Sequence, residues 1–229
     1  MLEDLKQTVC AANLALQRSG LVILTWGNVS AFDADSGLVV IKPSGVSYDA
    51  MTADQMVVLD LDGNAVEGDL RPSSDTPTHL ALYRAFEGVS GIAHTHSPYA
   101  TAWAQACRSL PAYGTTHADH YRGDIPVTAA LTPEQIAGDY ELETGLAIVK
   151  VFEGRPPTEM PAVLVASHGP FTWGKDAAAA VENSIVLEQV AMMAIHTEAL
   201  SPQPRGISRN LLDKHFLRKH GKHAYYGQS

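Results

Sequence analysis

Cysteine is scarce in this chain: Cys10 and Cys107 are its two, they lie far apart, and neither belongs to a CxxC pair. That excludes a disulfide framework and a Cys-built zinc ribbon, and both residues read as reduced packing positions. Positive charge is short as well. Sixteen Lys and Arg stand against 25 Asp and Glu, a formal charge of −9 at pH 7, so the basic surface that nucleic acid or an anionic membrane requires is missing. No window reads as a membrane span, and the opening MLEDLKQTVC has acidic residues where a secretory leader has an apolar run. Internal repeats and low-complexity segments are absent too. What remains is an ordinary composition, 45% hydrophobic and 18% charged, read as one domain over residues 1–229 and expected in the cytoplasm.

The densest chemistry lies in residues 91–106, GIAHTHSPYATAWAQA. Residues 91–95 read as a short buried strand, and Ser97 with Pro98 as the cap and first residue of a helix. On an extended chain, residues i and i+2 face the same side, so His94 and His96 can reach one point while Thr95 turns away. Two imidazoles so placed make half of a metal site, and zinc asks for more. His168, in AVLVASHGPF, is the third candidate: it follows an apolar strand-like run and precedes Gly and Pro.

Leu2, Leu5, Val9, Ala12 and Leu16 fall at helical spacing ahead of Gly20 as a cap. LVILTWGNVSAFD and GLVVIKP read as a hairpin around DADSG, and MVVLDLDGNAVEG as a second one turning at Asp62, Gly63 and Asn64. Gly27, Asn28, Lys42, Ser44 and Gly45 lie near strand ends, and Ser73 and Ser74 open a helix. Such residues serve ordinary turns and caps, or else present amides, hydroxyls and charge to an anion. Asp75 beside them would repel a phosphate unless a cation sits nearby, which assigns it to the metal. PAYGTTHADHYRGDIPVT reads as a loop holding Asp119, with a short strand over 125–128. After it come a mostly helical stretch capped by Thr132, where Glu141 and Glu143 are solvent-facing or helix-start carboxylates, and a long helix capped by Asp176 in which Glu188 is one of several residues mixing core and solvent faces. Ser208 and Gly221 bracket a final helix, and the Tyr225-Tyr226 tail is expected to dock, on a neighbouring subunit.

Together TWGNVS, IKPSGV, PSSDTPTH, HTHS, GTTHAD, HGPFTWGK and LDKHFLRKHG followed by AYYGQ resemble the class II aldolase and adducin-head family, in its L-ribulose-5-phosphate 4-epimerase branch, over residues 2–228. The resemblance implies an α/β fold, three-layer α/β/α with a central mixed, largely antiparallel sheet, and a homotetramer with its sites at subunit interfaces. It implies one Zn2+ per subunit on His94, His96 and His168, with Asp75 in the neighbouring carboxylate place. Phosphate contacts match Gly27, Asn28, Ser44, Gly45, Ser73 and Ser74, with Lys42 close by. The acid/base pair matches Asp119 and Tyr226, the tyrosine reaching a neighbour's site, while Glu141 and His215 support the pocket. The implied substrate is a small sugar phosphate, L-ribulose 5-phosphate exchanged with D-xylulose 5-phosphate. Two departures stand out: Asp75 is shorter than the Glu of related product-releasing aldolases, which favours the epimerase branch, and His120 stands where an aromatic residue is expected.

Elementary chemistry agrees with that reading. The hydrogen at C4 is not alpha to the C2 carbonyl, so removing it gives no stabilised carbanion, whereas breaking C3–C4 does when a Lewis-acidic metal is present. An aldolase or decarboxylase on the same scaffold is the alternative. A non-enzymatic interaction domain, as in the adducin head, predicts lost ligands, and the ligand set here is intact.

Overall fold

The computed structural model describes residues 2–225, so Tyr226 lies outside the described residues. In chain order the elements are α1 (Glu3–Arg18), β1 (Asn28–Asp33), β2 (Leu38–Ile41), β3 (Val57–Asp60), β4 (Ala65–Glu67), α2 (Thr76–Ala85), β5 (Gly91–His94), α3 (Pro98–Gln105), α4 (Thr115–Ala118), α5 (Pro133–Ala137), α6 (Tyr140–Val151), β6 (Ala162–Leu164), β7 (Pro170–Gly174), α7 (Ala177–Leu200) and α8 (Arg209–His220). Both expected hairpins form, and the expected caps hold at Thr132, Asp176 and Ser208, whose side chains each accept a backbone N–H.

The strands make one seven-stranded sheet in the order β4-β3-β2-β1-β5-β7-β6. Every pairing between them is antiparallel, which corrects the expected mixed sheet. The reason is connectivity: β1–β2, β3–β4 and β6–β7 are joined by short turns, and a parallel pair needs a long crossover. Among the described residues, parallel pairing is confined to an isolated bridge, Val127 with Leu164. That bridge and one between Leu110 and Ile125 are what becomes of the strand expected over 125–128.

Side chains alternate across the sheet with the period of two that extended backbone imposes. Val39, Ile92, Phe171 and Trp173 join one apolar cluster with Leu82 and Tyr83 of α2 and Ile148 of α6. Their sequence neighbours Val40 and Ala93, with Val29 and Ala31, join a second cluster with Val9 and Leu16 of α1 and Ala180 of α7.

The fold overturns two expectations from the sequence. α7 has 24 residues and a mean hydropathy of 1.3 over its most apolar 18, so by length and composition it could span a membrane. In this fold 44% of that stretch is buried inside the chain. Glu182, Asn183, Glu188 and Gln189 break the apolar run to the eye while Ala, Val, Ile and Met keep its average high. Cys107, read as a packing residue, is exposed; Cys10 is buried as expected.

One long-range contact sets where β1 begins. The wholly buried Asn13 of α1 accepts the N–H of Val29 at 2.8 Å through Oδ1 and donates to the Val29 carbonyl at 3.0 Å through Nδ2. Asn13→Ala strands both backbone groups in the interior, at roughly 1–3 kcal/mol each. The urea midpoint is expected to fall by an equivalent of roughly 2–6 kcal/mol. A change of under about 0.5 kcal/mol, the scale of a surface substitution, would show that something else holds the strand start.

Candidate active site

β5 ends at His94, whose register partners are Asn28 at the start of β1 and Phe171 near the start of β7. Three strand ends therefore meet at one margin of the sheet. His94 is buried, stacks on Phe171 at 4.2 Å, and holds its Nδ1 at 2.9 Å from the Pro170 carbonyl oxygen. A carbonyl can only accept, so Nδ1 carries the proton and Nε2 presents a lone pair, the arrangement of a metal-ligating imidazole.

That Nε2 lies 3.1 Å from Nε2 of His96. His168 sits on the turn between β6 and β7, past the strand end where it was expected. The three residues form a group whose ligand atoms all lie within 4.8 Å of one another. Zn–N bonds of about 2.0–2.1 Å in a tetrahedron put neighbouring nitrogens about 3.3 Å apart, so the group is close to the size that an ion draws together. Burial and then His94 lower the pKa of His96. Burial, with His94 and His96 adding to it, takes His168 down to about 4. His168 is therefore uncharged near neutral pH, and imidazole nitrogens facing one another at this range call for a cation. The donor set fits a divalent metal.

Asp75 stands just before α2, and its Oδ2 accepts from Asn28 Nδ2 at 2.7 Å. Burial pushes its carboxyl up, but His94, His79 and the Asn28 amide outweigh that and hold it below the usual carboxylate range. It lines the cleft wall yet stands outside the three-histidine group. Asn28 also donates to Ser73 Oγ at 3.0 Å, while its own Oδ1 is buried without a partner among the described residues.

The cleft encloses about 550 Å³ and brings Gly27, Asn28, Lys42, Ser44, Gly45, Ser73, Ser74, Asp75 and Glu141 to the same space as the three histidines. Gly27 is required there: its φ is +74°, and a Cβ would lie 2.8 Å from the His94 carbonyl oxygen and 2.6 Å from Val22 Cγ1. Lys42 is 2% exposed, and burial lowers its pKa. Its Nζ donates to the carbonyls of Pro43 at 3.3 Å and Thr25 at 3.4 Å and lies 5.0 Å from the centre of the Tyr48 ring. Among the described residues it has no carboxylate partner, so its charge is offered to whatever enters the cleft.

Asp119 and His215 are brought to each other but not to this cleft. Asp119 accepts from His215 Nδ1 at 2.9 Å and from the Arg218 guanidinium at 3.0–3.1 Å, a bridge between the end of α4 and α8. Burial acts to raise the Asp119 carboxyl, and Arg218 and His215 more than reverse it. His120 faces Lys219 at 3.1 Å, away from the cleft. Tyr225 is exposed, with Lys214 Nζ 5.4 Å from its ring centre. The sequence reading missed Trp26, whose ring centre is 6.1 Å from that of His96, and Tyr140, whose hydroxyl is 3.4 Å from His168 Nδ1. Adjacency to the Gly27-Asn28 pair was the available signal for Trp26; Tyr140 carried none.

Residues 7–195 match the family model described as the class II aldolase and adducin N-terminal domain. The chain belongs to this family. Among solved class II aldolase folds, an L-fuculose 1-phosphate aldolase is 26% identical with a TM-score of 0.79, over 93% of this chain and 94% of that one. YgbL from Klebsiella pneumoniae, its activity left open among aldolase, epimerase and decarboxylase, is 25% identical with a TM-score of 0.74, over 93% and 99%. Likeness to the L-fuculose-1-phosphate aldolase from Thermus thermophilus, 22% identical with a TM-score of 0.70 over 89% and 98%, concerns the fold alone.

The class II aldolase cleft also has an acid liability. Burial takes His79, fully enclosed behind Asp75 with Nδ1 at 2.7 Å from Ser30 Oγ, down to about 3, as it takes His168 to about 4. Unfolded histidine titrates near 6.5. Between those values the unfolded chain binds more protons, so the stability is complete above about pH 6.5 and is lost as pH falls toward the folded values. The slope from His79 alone approaches about 1.4 kcal/mol per pH unit. Urea unfolding of the metal-free protein at several pH values below neutral is expected to show this decline, and a flat profile would refute the depressed values.

Proposed function

We propose that the chain is a zinc-dependent epimerase that exchanges L-ribulose 5-phosphate and D-xylulose 5-phosphate by breaking and re-forming the C3–C4 bond. The observation that carries the reading is a single cleft with a three-imidazole group at one side and Lys42, Ser44, Gly45, Ser73 and Ser74 around the rest. His94, His96 and His168 would hold a divalent cation, which would supply the Lewis acidity that the carbon–carbon cleavage needs. Lys42 offers the phosphate an uncompensated charge, and the hydroxyls and amides beside it hold the two-carbon phosphate fragment while its aldehyde turns. Without that grip the fragment leaves and the enzyme is an aldolase.

Inversion at C4 needs proton transfer on both sides of the aldehyde oxygen. In this reading Asp119 and Tyr226 provide it, each worth about 10²- to 10⁴-fold in rate. Because Asp119 does not line its own chain's cleft, the reading assigns it and Tyr226 to a neighbouring subunit's site in a homotetramer, with His215 and Glu141 as supports. A single domain over 1–229 in a three-layer α/β/α arrangement and a cytoplasmic setting belong to the same proposal. Asp75, shorter than glutamate, favours the epimerase. The 26% identity to an L-fuculose 1-phosphate aldolase favours a second reading, a sugar-phosphate aldolase.

Zinc-loaded protein supplied with L-ribulose 5-phosphate is expected to form D-xylulose 5-phosphate without accumulating glycolaldehyde phosphate; accumulation would decide for the aldolase. His96→Ala is expected to lose bound metal and activity together, and Tyr226→Phe to keep the metal while turnover drops at least about 10²-fold. Full activity in metal-free protein would overturn the proposal.

A further inference from the structure

Glu188 lies on α7 and is 5% exposed. A carboxylate that far from water has to be met by charge or by donors, and among the described residues no ion pair reaches it. Instead Oε1 accepts the backbone N–H of Tyr99 and Oε2 that of Ala100, each at 2.9 Å. These are the second and third residues of α3. Pro98, the first, has no N–H, and Thr101 N–H already donates to the Ser97 carbonyl at 2.9 Å. Glu188 therefore takes the two donors that the helix start leaves open, at the positive end of its dipole.

Ser97 occupies the cap position but makes no side-chain cap bond; its Oγ accepts from the Thr95 hydroxyl at 3.2 Å. The cap comes from a residue 88–89 positions further along the chain. His96 sits immediately before this clamped start, and His94 is tied on the other side to the Pro170 carbonyl. The segment that carries two of the three imidazoles is thus anchored at both ends by elements distant in sequence.

We infer that Glu188 is a positioning residue for the metal: it locks the start of α3 so that His96 presents Nε2 toward His94 and His168 before an ion arrives. This rests on the reading of the three-histidine group as a divalent-cation site. Charge-assisted bonds to two backbone amides hold tighter than a serine hydroxyl can, and a clamp outside the ligand set lowers the ordering cost of ligation.

The test uses zinc alone as the probe. E188Q keeps the shape of the side chain but sets an NH₂ group against one of the two N–H donors. It is expected to weaken zinc binding about tenfold by chelator competition and to alter the visible spectrum of the cobalt-loaded protein. E198Q, on the same helix and disturbing only the contacts of Glu198 with Arg108 and Tyr113, is expected to leave zinc affinity unchanged. Hydrogen exchange on the metal-free wild type gives a reading that needs no variant: the Tyr99 and Ala100 amides should already be protected. An E188Q affinity equal to wild type, an equal weakening in E198Q, or amides that exchange freely until zinc is added overturns the inference, and if E188Q does not fold the exchange result decides. A wild-type protein that binds no zinc overturns the metal reading along with it.

Discussion

The register that sets Asn28 opposite His94, and His94 opposite Phe171, is the constraint on which the site depends. Side chains alternate faces along a strand, so a slip of one residue would send His94 to the opposite side of the sheet and part it from Phe171 and the Asp75 wall. Two devices oppose the slip. The apolar partition is one, since Ile92 and Ala93 belong to different clusters and cannot exchange them without exposing one and overpacking the other. Asn13 is the second, because it grips the backbone of Val29 one residue before the β1–β2 pairing begins at Ser30.

Around that register the cleft is electrostatically divided. One part gathers the three imidazoles and the ionised Asp75, an environment that favours a cation. The rest offers Lys42, hydroxyls and the close-packed turn at Gly27, which favours an anion. A sugar phosphate whose oxygens bind a metal and whose far end is a dianion matches that division. Burial sharpens both halves, because it makes unpaired charge costly on either side. The same burial accounts for the depressed pKa of His79 behind Asp75, so the polarity of the site and its sensitivity to acid have one cause.

The clamp on α3 extends the same logic outward. α7 follows β7 directly, so the strand that meets His94 and the helix that carries Glu188 are one continuous piece of chain. Through it the two ends of the His94–His96 segment are held by one continuous stretch of chain, at Pro170 and at Glu188.

Much of this is legible in the sequence, and the legible part is local. Helix starts at Thr132, Asp176 and Ser208 were readable because a cap bonds within three residues of itself. His94 and His96 could be paired from the two-residue period of an extended chain, and the family resemblance named His168 and the other residues that line the same cleft. The strictly antiparallel sheet, the burial of Lys42, the approach of Tyr140 to His168, the grip of Asn13 and the cap from Glu188 were decided only by the tertiary structure. Each of these joins segments that no spacing rule connects, and a glutamate in a helix looks the same in a sequence whether it faces water or the end of another helix. Local hydrogen bonding and periodicity are written in neighbouring residues; which distant donors a buried carboxylate or amide will meet is settled when the chain packs and every polar group taken from water has to find a partner.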